Sequence, residues 1–226
     1  MEFRCGPKWD ERIVHLEPKE KIGVLMSSGA DSTTLFKLLW DNFPDTEIRI
    51  FNVQTSDDPK KPLIEEILKK FDVNLELEIV GKTRWNWPMS AHYPRLCKAF
   101  QEIRDTTDCQ ELYCGNILPP HPQWFKRWDP NQKGIAKRPW LTNDDFLKNP
   151  FEHVEKYHVI DLGRRNGFSE IYNTTISCNT HATDPCGDCM GCLEIEWAYK
   201  QLDKETGTTL DEMTEHAVMN YGSIGW

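Results

Sequence analysis

Short apolar runs alternate with longer segments of helical periodicity along the first half of the chain. Four runs rich in Val, Ile and Leu predict strands, at 21–26, 47–53, 75–80 and 111–114. The segments between them carry apolar residues at helical spacing and predict helices, at 32–42, 62–72 and 91–104. Strands that alternate with helices of this length are typical of right-handed βαβ units. The pattern therefore predicts an α/β fold with a doubly wound, mainly parallel sheet.

The pattern changes at both ends of this α/β domain, which we expect to span residues 21–170. Residues 1–20 mix charged residues with prolines and predict an irregular leader. Residues 171–226 contain a cluster of cysteines and predict a small C-terminal subdomain. Further helices are predicted at 156–166 and 193–204, so the sheet domain and the subdomain each end in a helix.

Residues 117–150 interrupt the alternation of strands and helices. The segment is rich in proline and tryptophan, and it has a local basic excess in an otherwise acidic chain, from Lys126, Arg127, Lys133, Lys137 and Arg138. A long basic connection after a strand is a candidate lid or anion-binding loop. A surface excursion whose tryptophans pack back on the sheet explains the same composition, and the sequence leaves both interpretations open.

The charge and hydropathy of the chain restrict its class. A net charge of -9 argues against general nucleic-acid binding, which needs an excess of Lys and Arg. The longest apolar runs are too short to cross a bilayer, and the first twenty residues lack the hydrophobic block of a signal peptide. We therefore expect a cytoplasmic protein.

Four of the eight cysteines lie close together and predict a metal site. Their spacing is Cys178-x7-Cys186-x2-Cys189-x2-Cys192, and four thiolates complete a tetrahedral shell around Zn²⁺ with no open position. We therefore predict one structural zinc ion per chain. An iron–sulfur cluster is the alternative, since C-x2-C-x2-C also suits that chemistry.

The segment Ser27-Ser28-Gly29-Ala30-Asp31-Ser32 follows the first predicted strand and leads into a helix. Backbone N–H groups converge at such a helix start and form a cradle for phosphate. The segment has neither the Walker pattern nor G-x-G-x-x-G. A helix start capped by Asp31 or Ser32 explains the same residues, and these residues alone do not separate the two interpretations.

Together these motifs carry a resemblance to a known family. The stretch VLMSSGADSTTLF resembles the loop of the PP-loop ATP pyrophosphatases, whose usual form is SGG-x-DS. The stretch TTISCNTHATDPCGDCMGC, at residues 174–192, is similar to the zinc site of one branch, the 7-cyano-7-deazaguanine synthases of queuosine-type biosynthesis. Lys156, placed before an amphipathic helix, also fits that branch. The resemblance covers roughly residues 20–200, in islands.

The resemblance implies an ATP-dependent C–N ligase that adenylates a carboxylate and transfers ammonia to it. The implied substrate is 7-carboxy-7-deazaguanine, and the product is 7-cyano-7-deazaguanine or, if the reaction stops early, the amide. Mg²⁺ would accompany ATP, and the family suggests a homodimer. Two alternatives remain: a tRNA-thiolation enzyme of the same superfamily, and a nucleotide-binding module without catalysis.

The resemblance also implies roles for individual residues. Ser27, Asp31 and Ser32 would be the catalytic residues, with Asp31 orienting the loop or helping to hold Mg²⁺. The implied ATP-binding residues are Leu25, Met26, Ser27, Ser28, Gly29, Ala30, Asp31, Ser32, Thr33 and Gln54. The implied substrate-binding residues are Gly115, Asn116, Lys126 and Arg127. The implied metal ligands are Cys178, Cys186, Cys189 and Cys192.

The sequence departs from the family where that family recognises its substrate. Ser28 replaces the first loop glycine, and PPHPQWFKRWD replaces an acidic, tyrosine-rich segment. Asn179 stands at a tyrosine position, and Glu194 lies near the position of an arginine. The departures leave the implied fold and ATP use intact. The identity of the substrate does not carry over from the family.

Overall fold

The computed structural model describes residues 1–53, 60–81, 92–118, 143–178, 184–187 and 190–203. Several predicted site residues lie outside these ranges, namely Gln54, Lys126, Arg127 and Cys189. Most of the basic segment and the C-terminal tail lie outside them as well.

The chain begins with an antiparallel hairpin of β1 (Glu2–Cys5) and β2 (Arg12–His15). The prediction of an irregular leader was wrong. Alternate side chains of the hairpin, among them Phe3 and Val14, are buried in the main core, while Glu2 and His15 are exposed. With four residues in each strand, this period-two pattern is too short to stand out among the charges.

The remaining strands form one five-stranded sheet in which every pairing is parallel. They are β3 (Lys21–Leu25), β4 (Glu47–Val53), β5 (Leu77–Val80), β6 (Glu111–Tyr113) and β7 (Leu147–Lys148). The helices are α1 (Ala30–Asn42), α2 (Lys60–Lys70), α3 (His92–Thr106), α4 (Lys156–Arg165) and α5 (Met190–Leu202). A 3-10 helix at Ser169–Asn173 lies between the last two. The predicted α/β class with a parallel sheet is confirmed.

The spatial order of the strands is β5-β4-β3-β6-β7. The chain therefore runs outward from β3 through β4 to β5, and then returns to the other side of β3 to form β6. This arrangement places a topological switch point between β3 and β6. In open α/β sheets, ligands bind beyond the carboxyl ends of the strands at such a point.

Helices cover both faces of the sheet, as expected for a doubly wound fold. Ile22 and Ile50 belong to the core that contains buried residues of α1, α2 and α4. Phe51 and Leu112 belong to a second core with Ala99 of α3. Because successive strand residues point to opposite faces, the apolar runs of β3 and β4 supply both cores.

Helix α1 begins differently from the prediction. Its N-cap is Gly29, with extended backbone (φ -83°, ψ 159°), rather than Asp31 or Ser32. Asp31 instead pairs with a distant residue, and Ser32 bonds within the loop, as described below. By contrast, the helix predicted at 156–166 agrees with α4 to within one residue, and Gly167 after it has a positive φ of +76°, which favours glycine. No helix within the described ranges has both the length and the apolar character needed to cross a membrane.

Candidate functional site

The loop between β3 and α1 is held against β4 at its first residue. The Met26 N–H donates to the Phe51 carbonyl oxygen at 2.8 Å. The buried Asn52 side chain donates through Nδ2 to the Met26 carbonyl oxygen at 2.7 Å. The loop therefore leaves the sheet at the carboxyl end of β3, beside the switch point.

Two serine side chains close the turn of the loop. The Ser27 N–H donates to Ser32 Oγ at 3.0 Å, and the two hydroxyl oxygens lie 2.9 Å apart. Ser32 is buried, whereas Ser27 is exposed. The Ser32 hydroxyl therefore holds the loop in shape, and the Ser27 hydroxyl is the one that an incoming ligand can reach. Ser28 is buried and has negative φ, so its backbone does not need the glycine of the family pattern.

The start of α1 carries no side-chain cap. The N–H groups of the first turn have no partner within the helix, and they lie at the positive end of its dipole. A Cβ on Gly29 would lie 3.4 Å from Ser27 Oγ and 3.5 Å from Ser177 Oγ. Gly29 thus leaves open a space that two hydroxyl groups border, in front of a helix N-terminus.

A buried lysine from α4 lies beside this helix start. Lys156 Nζ is 2.5 Å from Asp31 Oδ2 and 3.5 Å from Glu194 Oε2, and the side chain is 2 % exposed. Burial disfavours the ammonium form, but the carboxylates of Asp31 and Glu194 outweigh burial and raise the pKa of Lys156 above its ordinary value. Lys156 is therefore a charged group at neutral pH, held between α1 and α5.

Two buried oxygen atoms at this site have no hydrogen-bond partner among the described residues. They are Asp31 Oδ1 and Ser177 Oγ. Buried polar atoms in proteins almost always have a partner, and exceptions call for an explanation. A free carboxylate oxygen suits a hard cation such as Mg²⁺, and a free hydroxyl can donate to a phosphate oxygen.

The end of β6 packs directly against the start of α1. A Cβ on Gly115 would lie 3.0 Å from the carbonyl carbon and oxygen of Asp31 and from the Ser32 nitrogen. Glycine is needed here because the two backbones approach so closely. The Asn116 N–H donates to Asn149 Oδ1 at 3.0 Å, so this connection is anchored to the segment after β7. The structure thus brings Gly115 to the loop, as the sequence predicts.

Three of the four predicted metal ligands form a cluster. The Sγ atoms of Cys178, Cys186 and Cys192 all lie within 4.8 Å of one another, with separations of 3.6 Å for Cys178–Cys186 and 3.9 Å for Cys186–Cys192. Zn–S bonds of about 2.3 Å in a tetrahedron require sulfur atoms about 3.8 Å apart. The cluster therefore could hold a metal ion such as zinc.

The same spacing bears on the iron–sulfur alternative. The four thiolates of a polynuclear cluster are divided among two or more iron atoms, so they cannot all lie as close together as thiolates on one ion. The observed separations favour a single ion. Cys189, the fourth predicted ligand, and His181, a further residue of the segment that could bind a metal, lie outside the described residues.

The segment that carries Cys178 also contacts the loop. The Ile176 N–H donates to the Ser28 carbonyl oxygen at 2.8 Å, and Ser28 Oγ donates to the Ile176 carbonyl oxygen at 3.2 Å. Two residues were missed by the sequence-based site assignment, Ser177 and the lysine partner Glu194. Their contacts join segments far apart in sequence, so no local pattern signals them.

A polar cavity of about 630 Å³ lies elsewhere, on β6 and β7. Its lining includes the buried Glu111, with Tyr113, Lys19 and Lys148 around it. Lys19 Nζ and Lys148 Nζ lie 3.8 Å and 3.7 Å from Glu111 Oε1. None of the predicted site residues that the structure describes lines this cavity.

No family model matches the chain, and no curated protein sequence matches it. The α/β fold, its switch-point loop and its cysteine cluster therefore carry the functional proposal.

Proposed function

We propose that this protein is an ATP-dependent C–N ligase that adenylates a carboxylate and transfers ammonia to it. The observation that carries the proposal is the SSGADS loop at the switch point of the sheet, with an uncapped helix start and the Lys156–Asp31 pair beside it. Its resemblance to the loop of PP-loop ATP pyrophosphatases supports ATP as the ligand. The resemblance of the cysteine segment supports the 7-cyano-7-deazaguanine synthase branch.

The proposed reaction begins with attack of a carboxylate oxygen on the α-phosphorus of ATP. Pyrophosphate leaves, and the acyl-adenylate forms. Both reactants are anionic, so the site must offset their repulsion and hold them in line. The N–H groups at the start of α1 and the exposed Ser27 hydroxyl would hold the departing pyrophosphate. The unpartnered Asp31 Oδ1 would bind the Mg²⁺ that accompanies it.

Ammonia then attacks the acyl carbon, and AMP leaves with its oxygen to give the primary amide. Conversion to the nitrile requires loss of the amide oxygen, which a second ATP would activate. With 7-carboxy-7-deazaguanine as substrate, the product is 7-cyano-7-deazaguanine or its amide precursor. Gly115, which packs against the backbone of Asp31, would lie next to the carboxylate of the substrate.

The charged Lys156 would act on the loop rather than on the substrate. Its ammonium is buried and already paired with Asp31 and Glu194. Its role would be to fix Asp31 Oδ2, so that the other carboxylate oxygen points into the site. The cysteine cluster, if filled by zinc through four thiolates, would supply structure and no open coordination position.

The buried cysteines near the sheet argue against the thiolation alternative. That chemistry needs a reactive thiolate close to the loop. Cys114, at the end of β6, is buried, and burial raises its pKa to about 12. Burial also raises the pKa of Cys109. Both are thiols at neutral pH, which argues against thiolation through these two residues. The third candidate thiol, Cys97 on α3, is exposed, and a gel-shift assay with tRNA provides the independent check.

The test is release of pyrophosphate from ATP by the protein with Mg²⁺, ammonium and 7-carboxy-7-deazaguanine. We expect release that depends on the carboxylate, and a product mass that identifies amide or nitrile. Gly29→Val should abolish release and leave the metal content unchanged, because its side chain fills the space between the Ser27 and Ser177 hydroxyls. Turnover that survives this change would contradict the phosphate cradle.

A further inference from the structure

We propose that the cysteine cluster and the phosphate cradle are energetically coupled, so that metal binding to the cysteines raises the affinity of the cradle for phosphate. The coupling runs through two connections, which we call the serine arm (residues 176–178) and the lysine arm (Glu194 to Lys156 to Asp31). It rests on the proposed function only in taking ATP as the ligand of the cradle.

The serine arm joins Cys178 to the loop directly. Ile176 makes two hydrogen bonds with Ser28, through both its N–H and its carbonyl group. Ser177 lies between this pair and the buried Cys178, and its unpartnered Oγ borders the space beside Gly29. A metal ion that fixes Cys178 therefore also fixes a hydroxyl donor in the cradle. This geometry adds Ser177 to the phosphate ligands.

The lysine arm joins Cys192 to the loop through side chains. Cys192 and Glu194 both lie near the start of α5. Glu194 contacts Lys156 Nζ at 3.5 Å, and Lys156 Nζ contacts Asp31 Oδ2 at 2.5 Å. If the start of α5 moved, Glu194 would move away from Lys156, and Asp31 would be the carboxylate that remains beside the ammonium. That shift would change where Asp31 Oδ1 points.

The two arms reach different residues at the same helix start. The serine arm bonds to Ser28 and borders Gly29, and the lysine arm contacts Asp31. Without a cation, weak S–H···S contacts join the sulfur atoms, whereas a metal ion would bond directly to each of them and fix their positions more tightly. Binding linkage is reciprocal. Phosphate binding must therefore raise the affinity for the metal by the same factor by which metal binding raises the affinity for phosphate.

The first experiment measures nucleotide binding to the full chain with and without metal. Calorimetry with Mg²⁺ and α,β-methylene-ATP should give at least about tenfold weaker binding after zinc is stripped with a chelator. Equal affinity of the two forms would overturn the coupling and leave the ligase proposal standing. Absence of binding to either form would overturn the ligase proposal and the coupling with it.

The second experiment keeps the protein folded and zinc-loaded. The bound nucleotide should protect the zinc: in equilibrium competition with a chromogenic chelator, the zinc affinity of the protein should rise by a similar factor. Ser177→Ala should weaken nucleotide binding and reduce this protection to what the lysine arm supplies. Thr175→Val is the matched control, because the Thr175 hydroxyl donates to the Tyr172 carbonyl oxygen at 3.0 Å and not to the loop. Protection in Ser177→Ala equal to that of the wild type would overturn the serine arm.

Discussion

At the scale of single residues, Lys156 is the group on which the site depends most. Its ammonium is the shared partner of carboxylates from α1 and α5, and it is almost entirely removed from water. The two carboxylates are themselves only partly exposed. Removing the cation therefore leaves two charges close together without compensation, which is far costlier than removing a surface ion pair.

Lys156→Met should lower the free energy of unfolding by about 3–5 kcal/mol, because methionine approximates the apolar stem of lysine but carries no charge. Urea denaturation at neutral pH measures the change. Lys61→Met is the control, since Lys61 pairs with Glu65 on an exposed helix surface, and its loss should cost about 0.5 kcal/mol or less. Equal stability of the Lys156 variant and the wild type would show that the ammonium is dispensable.

At the scale of elements, hydrogen bonds of His158 hold the N-terminal hairpin against the first turn of α4. This imidazole is fully buried. Its Nε2 donates to the Asp10 carbonyl oxygen at 3.0 Å, and its Nδ1 accepts from the Glu155 N–H at 3.1 Å. Both bonds require the neutral ring with the proton on Nε2. Burial, together with the charge of Arg12, lowers the pKa of His158 to about 4.

This histidine predicts a loss of stability in mild acid. Between its ordinary pKa of 6.5 and about 4, the unfolded chain binds a proton at His158 that the folded chain does not. The free energy of unfolding should therefore fall through this window as pH falls, by on the order of 3 kcal/mol from this residue.

Urea titrations at several pH values between 7 and 4 measure this slope. His158→Gln should flatten it, whereas His15→Gln, at an exposed position of the hairpin, should keep the slope of the wild type. Parallel slopes for the His158 variant and the wild type would contradict the assignment.

At the scale of the whole molecule, the hairpin belongs to the main core and is not an appendage. Phe3, Val14 and Leu16 are buried together with side chains of α1 and α4. Removal of residues 1–16 should cost on the order of 5 kcal/mol, comparable with the total stability of a domain, because these side chains leave the core and expose what they cover. Loss of the cooperative thermal transition in the truncated chain, followed by circular dichroism, is the expected result. A native-like transition would show that the core is complete without it.

Much of this architecture could be predicted from the sequence because strong local patterns determine it. The apolar run of β4, at Glu47–Val53, matches the structure residue for residue, since a buried parallel strand needs apolar side chains on both faces. The predicted helix cap was wrong because Asp31 pairs with Lys156, 125 positions away, and because the Ser32 hydroxyl bonds to Ser27 within the loop. Glu194 and Ser177 were not predicted as site residues, because their contacts also join distant segments. Strand β7 was not predicted because two residues are too few to show a pattern.

The long reach of these contacts has a consequence for synthesis of the chain. The bond between Lys156 and Asp31 spans 125 positions, and that between Ser28 and Ile176 spans 148. Translation delivers the loop early but delivers its partners late, after the sheet strands have emerged. A nascent chain that stops before Glu194 can fold part of its sheet, yet it has no complete cradle. Nucleotide binding should therefore begin only when nearly all of the described chain has left the ribosome.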